Sequence, residues 1–260
     1  MTAELLMAIA AFLFLGMSLA WWIQRRTGNS GWIDTVWAAL TGLAAVSGLL
    51  MLPDSARRWM VMGLIVLWAV RLASHIGRRS GGITDDPRYA DLMKRWGDRA
   101  SFELFKFLQI QAAASFVLVV SILAAASGSG PLGLTDALAV MIAVVAIGGE
   151  ALADHQLAAH RKSGAKGGVF DEGLWRYSRH PNYFFEWLFW CSWPVMALSG
   201  GWGLVTLSLL APLMMYWVLV HASGIPPLEK HMLASRGDAF RRYQRQVNAF
   251  FPGPRKSLDG

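Results

Sequence analysis

Residues 173–190 read Gly-Leu-Trp-Arg-Tyr-Ser-Arg-His-Pro-Asn-Tyr-Phe-Phe-Glu-Trp-Leu-Phe-Trp. Cations, aromatic rings and one amide run directly into an apolar stretch that carries a carboxylate, Glu186. Asn182 and Glu186 are four apart and share one face of a helix. A charge inside a lipid-spanning helix is costly to hold and marks a functional position. The expected chemistry is recognition of a polar, anionic ligand at the mouth of a membrane span.

Other polar residues recur at helical spacing near the same ends of apolar stretches. Asp34 opens one stretch, Arg71 and His75 are four apart in the next, and Gln109 and Gln111 follow. Glu150 and Asp154 are again four apart, and His221 closes the last stretch. The two glutamines read as interhelical hydrogen bonds. The others are expected to gather in one polar cavity. The loops add Arg78 and Arg79, then Arg161, then Lys166 inside the run Gly-Ala-Lys-Gly-Gly. Guanidinium groups match phosphate oxygens two at a time, and glycines let backbone approach a ligand. The sequence holds no GxxxxGK[ST], no HExxH, no CxxC and no GxSxG, and its GxGxxG match at 128–133 joins two apolar spans and follows no strand. Rossmann, P-loop, metal and serine-hydrolase sites are therefore not expected.

These residues need a membrane to position them. The 260-residue chain is 55% hydrophobic, with 13 Trp and a mean hydropathy of +0.38, far above a soluble domain. The expected fold class is all-α: a polytopic integral membrane protein in one domain over 1–260. Seven spans are expected at about 4–23, 32–52, 59–77, 103–127, 133–153, 183–199 and 202–222. The first is read as a retained span, because it carries Glu4 and lacks a basic start. The single cysteine, Cys191, excludes an intrachain disulfide.

Charge then orients the bundle. The loops at 24–31, 78–102 and 154–182 and the tail after 222 hold 2, 6, 5 and 7 Lys/Arg, or 20 of the 24. The opposite side receives Arg57 and Arg58. The positive-inside rule places the basic side in the cytoplasm and the N-terminus outside. It also accounts for the net charge of +7 without nucleic acid. In the cytoplasmic tail 223–260, Leu228, Met232, Leu233, Phe240, Tyr243 and Val247 predict an amphipathic helix interrupted near Gly237.

The run 173–186, centred on Arg179-His180-Pro181-Asn182-Tyr183, resembles the cofactor-binding motif of a membrane superfamily. That superfamily holds steroid 5α-reductases, sterol reductases and isoprenylcysteine carboxyl methyltransferases. Trp68, Arg71 and Leu72, the stretch 85–89 and the tail 243–252 resemble bacterial members of the steroid 5α-reductase branch. The resemblance implies seven helices in a bacterial cell membrane, with NADPH held from the cytoplasmic side. By the same resemblance, Asn182 and Glu186 meet the nicotinamide end. Asp154 and Arg161 meet the adenosine–phosphate part, Arg78, Arg79 and Lys166 the phosphates, and His221 the cofactor as well. Arg88, Tyr89, Tyr177, Arg179, His180 and Tyr183 complete the cofactor-binding set.

Asp34 falls near the family's catalytic glutamate, with Trp68, Arg71 and His75 beside it in the catalytic set. Two positions depart from the pattern. Trp68 stands where the family has a tyrosine, and Ile33 where it has a glutamine. The implied activity is NADPH-dependent reduction of the C=C bond of an α,β-unsaturated ketone, a 3-oxo-Δ4 steroid foremost. Asp34 would be kept neutral by apolar surroundings and donate to the carbonyl oxygen. The lipophilic substrate would enter from the bilayer. The alternative, sharing Arg-His-Pro-x-Tyr and the following Glu, is a methyltransferase using S-adenosylmethionine.

Overall fold

The computed structural model describes residues 1–80, 86–163 and 168–257. Every regular element in them is helical: α1 (Ala3–Thr27), α2 (Ile33–Leu50), α3 (Ala56–Ser80), α4 (Pro87–Trp96), α5 (Ala100–Ala126), α6 (Leu134–Lys162), α7 (Pro181–Ala197), α8 (Trp202–Trp217) and α9 (Ile225–Gln246). A 3-10 turn at Gly173–Arg176 precedes α7, and a π turn at Val218–Ala222 follows α8. The chain is thus all-α, as expected.

Among the described residues, six helical runs are long and apolar enough to cross a membrane. The last begins at Trp202 and owes its apolar stretch to α8, because α9 is charged along its length. α7 is not among the six. At 17 residues it stands at the lower limit of a span. Large apolar side chains such as Leu15, Leu67, Ile110 and Leu213 stay exposed, as a lipid-facing surface requires.

Helix ends follow local chemistry. Thr2 Oγ1 accepts from the Leu5 N–H and starts α1. Asp86 caps α4 and Pro87 fills its first position, where a missing N–H costs nothing. The stretch 78–102 was expected to be loop, and α4 corrects that. The break in α9 falls at Gly237, whose φ of 50° only glycine adopts readily.

The chain packs as two compact units. The first comprises Met1–Ala137 and Trp193–Leu210. In it α2 packs against α1, α3 and α5, with Leu13, Met17, Leu49, Ile65, Trp68, Leu104 and Leu108 fully buried. Thr41 and Ser115 share a 2.8 Å hydrogen bond across α2 and α5. Gln109 bonds Ser18 of α1. Arg57 was expected to be a loop charge. It is buried in the first turn of α3, its Nε and Nη2 on Asp136 at 2.7 and 2.8 Å. Its remaining donors reach the carbonyls of Gly128 and Pro131. Burial without such partners would be prohibitive.

The second unit comprises Leu138–Ser192 and Ala211–Gly260. α6 and α7 approach closely at Gly149, where a Cβ would stand 2.4 Å from the Phe185 ring. Trp175 Nε1 donates to the Ala153 carbonyl at 3.0 Å and fixes the 3-10 turn on α6. Phe240, Tyr243 and Val247 form a buried cluster joined by Val169, Met232 and Leu233. Five of these six are α9 and tail positions that the apolar pattern selected.

Candidate functional site

Polar side chains meet in two clusters, one in each unit. The first begins at Asp34, in the opening turn of α2. Its Oδ2 accepts from Arg88 Nη2 at 2.5 Å and its Oδ1 from the Tyr89 hydroxyl at 2.8 Å. α4 supplies both donors because Asp86, its cap, also receives Arg88 through the backbone N–H, Nε and Nη2. The Asp86 N–H donates to the buried Ser30 Oγ, which ties α4 to the turn before α2. Tyr89 is buried, and its oxygen accepts from Gln111 Nε2 of α5 at 3.2 Å.

Both Asp34 oxygens accept, one of them from the Arg88 guanidinium, where the resemblance implied an acid in apolar surroundings donating to a substrate carbonyl. Arg88 and Tyr89, expected at the cofactor, are its partners. Trp68 is fully buried with its ring edge-to-face against Trp37, centroids 6.3 Å apart. Trp37 lies one turn beyond Asp34 on α2, and its indole N–H is buried without a hydrogen-bond partner. Arg71 and His75 lie half-buried on α3. Arg78, at the end of α3, is exposed. The side chain of Arg79, and Lys166 entirely, lie outside the described residues.

The second cluster is built on α6 and α7. Asn182 Nδ2 donates to Asp154 Oδ1 at 3.3 Å, which joins two residues the sequence had assigned to opposite ends of one ligand. Glu186, one turn deeper, is buried and accepts from Trp190 Nε1 at 2.9 Å. Arg161 is exposed near the end of α6. His221 sits exposed in the π turn, edge-to-face with Tyr216 at 5.7 Å. Tyr177 is exposed, and its carbonyl accepts from the Gly253 N–H.

Arg179 and His180 have work within the protein. Arg179 Nε and Nη2 reach Glu229 at 2.7 and 3.2 Å, and its Nη1 reaches the carbonyls of Gln244 and Val247. His180 Nε2 is 2.9 Å from Glu229 Oε1, and Gln244 Nε2 adds a fourth donor at 2.7 Å. The His180 ring stacks on Tyr183, centroids 5.6 Å apart. Burial pulls the His180 imidazole below its usual range, with Arg179 adding to the effect against an opposing pull from Glu229. The contact is therefore a hydrogen bond from a neutral ring. Arg179, which the resemblance placed in the cofactor-binding set, directs its side-chain donors to α9 and the segment after it. Glu229 was missed, since its partners lie 49 and 50 positions away and no spacing rule links them. Ser178 was missed for the same reason, with its Oγ on the Phe250 carbonyl at 2.8 Å.

A family profile described as "Protein of unknown function (DUF1295)" matches residues 20–247, most of the chain. The chain belongs to the DUF1295 family. That family includes steroid 5α-reductase-like membrane proteins. The match to DUF1295 spans both clusters, from α1 through the last residue of the buried α9 cluster. No curated protein matches this DUF1295 chain. Among its described residues no group of three or more His, Cys, Asp or Glu could hold a metal ion.

Proposed function

We propose that the protein reduces the C=C bond of an α,β-unsaturated ketone in a lipophilic substrate, a 3-oxo-Δ4 steroid foremost, using NADPH. The observation that carries the reading is the grouping of Asp34, Arg88 and Tyr89. A carboxylate, a guanidinium and a phenol hydrogen-bond one another at the first turn of an apolar, lipid-length helix. Such a grouping is expensive in a membrane unless it handles protons or developing charge.

The roles follow from the donors available. NADPH, when bound, supplies a hydride to the β-carbon of the enone. As that bond forms, the π electrons move onto the carbonyl oxygen. A substrate oxygen taking the place of Asp34 Oδ1 would receive the Tyr89 O–H, with Gln111 holding the phenol oxygen from behind. Until the substrate arrives, Asp34 holds the phenol in place, itself held by Arg88. A proton from solvent completes the product at the α-carbon. This arrangement answers the family tyrosine's replacement by Trp68: a tyrosine–carboxylate pair is present, but the tyrosine comes from α4.

Asp154, Asn182 and Glu186 on α6 and α7, with Arg161, are the described residues that would hold the nucleotide. His180, two residues before Asn182, keeps its Nδ1 buried without a hydrogen-bond partner. The membrane arrangement belongs to the same reading: seven spans with α7 as the sixth, the N-terminus outside, the basic loops and cofactor side cytoplasmic, in a bacterial cell membrane.

The deciding experiment compares NADPH, NADH and S-adenosylmethionine by thermal shift on detergent-purified protein, followed by an enone panel. A ligand of the folded state raises the midpoint by mass action. A rise with NADPH and turnover of enones, lost in Tyr89→Phe, is the expected result. A rise with S-adenosylmethionine alone would replace the reductase reading by a methyltransferase.

A further inference from the structure

We infer that the groove between α1 and α2, at the end of those helices away from Asp34, holds the acyl chains of one phospholipid whose headgroup carries a primary ammonium. The groove lies wholly in the first unit and shares no residue with either polar cluster. Ala44, its innermost residue on α2, is ten positions from Asp34, about 15 Å along the helix.

Helix contacts set its shape. α1 and α2 meet closely at two glycines: a Cβ on Gly16 would stand 2.6 Å from Leu40 Cδ1, and one on Gly48 would stand 3.2 Å from Ile9 Cδ1. Beside the second contact the short side chains of Ala8 and Ala44 leave a cavity of about 770 Å³. Phe12 and Met51 line it too, and both are exposed on the apolar outer surface. The cavity therefore opens toward lipid.

Polarity sets its direction. From Thr2 to Phe12 the groove runs about 15 Å along α1, half of a hydrocarbon core about 30 Å thick. Its polar side chains, Thr2, Glu4 and Ser47, all lie at one end, where α1 begins and α2 makes its last turn. The rest of the lining, down to Phe12 and Ala44, carries none. Polar at one end and apolar for the depth of a leaflet is the complement of a membrane lipid. The volume over that length gives a cross-section of roughly 50 Å², too narrow for a helix with its side chains, which is about 10–12 Å across. A second copy of the chain cannot lay a helix there, whereas flexible acyl chains fill it.

Charge selects the headgroup. Glu4 is exposed at the mouth and makes no ion pair among the described residues. A primary ammonium brings the opposite charge and three N–H donors, for which Glu4 and the Ser47 hydroxyl are acceptors. A headgroup of net negative charge is repelled there.

The test reconstitutes the full-length protein in vesicles of equal parts phosphatidylethanolamine and phosphatidylglycerol with the same acyl chains. The protein is extracted in mild detergent, and its retained lipid is counted by native mass spectrometry. The wild type should keep one ethanolamine lipid per chain, favoured over the glycerol lipid by roughly fivefold, the upper worth of one exposed ion pair. Glu4→Gln should keep one lipid and lose the preference. Ala8→Phe fills the groove from its exposed side and should lose the lipid while melting normally after delipidation. Ser47→Phe fills it from the facing helix and makes the same reading if Ala8→Phe does not fold. Leu213→Phe, at an exposed apolar position on α8, should behave as the wild type. Equal retention in Ala8→Phe, Ser47→Phe and Leu213→Phe would show loosely held bilayer lipid only and overturn the site. An unchanged preference in Glu4→Gln overturns the headgroup assignment. Displacement of the lipid by a steroid enone would make the groove a substrate site and overturn the inference as well.

Discussion

The Tyr89 hydroxyl donates to Asp34 Oδ1 at 2.8 Å across 55 positions of sequence, and Gln111 holds the same hydroxyl from a third helix. The phenol is thereby oriented by one acceptor and one donor. Tyr89→Phe should abolish most enone reduction while the protein remains folded, because only the hydroxyl is lost. Stopped-flow or steady-state turnover with NADPH checks this. Asp34→Asn should lower turnover as well, and the double variant should fall no further than the worse single one, as expected of residues acting as a unit.

Arg57 and Asp136 form the most thoroughly buried ion pair described, with side chains 1% and 2% exposed. Arg57→Met leaves Asp136 as an uncompensated buried charge and should destabilise by about 3–5 kcal/mol. Arg57→Met with Asp136→Leu should recover most of that loss. Thermal unfolding in detergent distinguishes the two, and an equal loss in both variants would show that the pair matters only through its backbone contacts.

The packing of α6 on α7 depends on the missing side chain at Gly149. Gly149→Leu drives a branched chain into the Phe185 ring and should cost about 1–3 kcal/mol, the usual penalty for overpacking. Gly149→Leu with Phe185→Ala should regain stability, read as the melting midpoint of each variant.

His180 makes stability depend on pH in a definite direction. Its folded pKa is lowered, with burial the largest cause, so the unfolded chain takes up this proton first. The stabilisation is complete above the unfolded value of about 6.5 and is lost as pH falls below it. The melting midpoint of the wild type should drop between roughly pH 7 and pH 5. His180→Gln, which cannot titrate, should flatten that segment of the curve.

The helices were legible because lipid demands long apolar runs; Asn182 and Asp154 could be singled out from residue type and spacing, and Trp68 only through the family resemblance. α4 was also legible and was overlooked: Asp86-Pro87 is the signature of a helix start. The partners of Asp34 were not legible. They include Arg88, 54 positions away, and depend on a helix that carries that arginine onto it. Glu229 was hidden for the same reason. It looks like one more charge on an amphipathic helix, and only folding shows that it collects four donors. Arg57 misled because a cation at a span end reads as a loop charge, whereas here a partner 79 positions on takes it inside.

The segment after α9 runs back along the start of α7. Arg179 N–H donates to the Asn248 carbonyl and Gly253 N–H to the Tyr177 carbonyl. During biosynthesis the Arg-His-Pro segment therefore emerges long before the residues that complete it. At typical translation rates the delay is roughly 4–15 seconds. For that interval the nascent chain presents an unfinished motif, and quality-control proteases gain a window that closes only once residues 248–253 have been made. A ribosome stalled short of Asn248 would yield a chain with its helices inserted and this motif open.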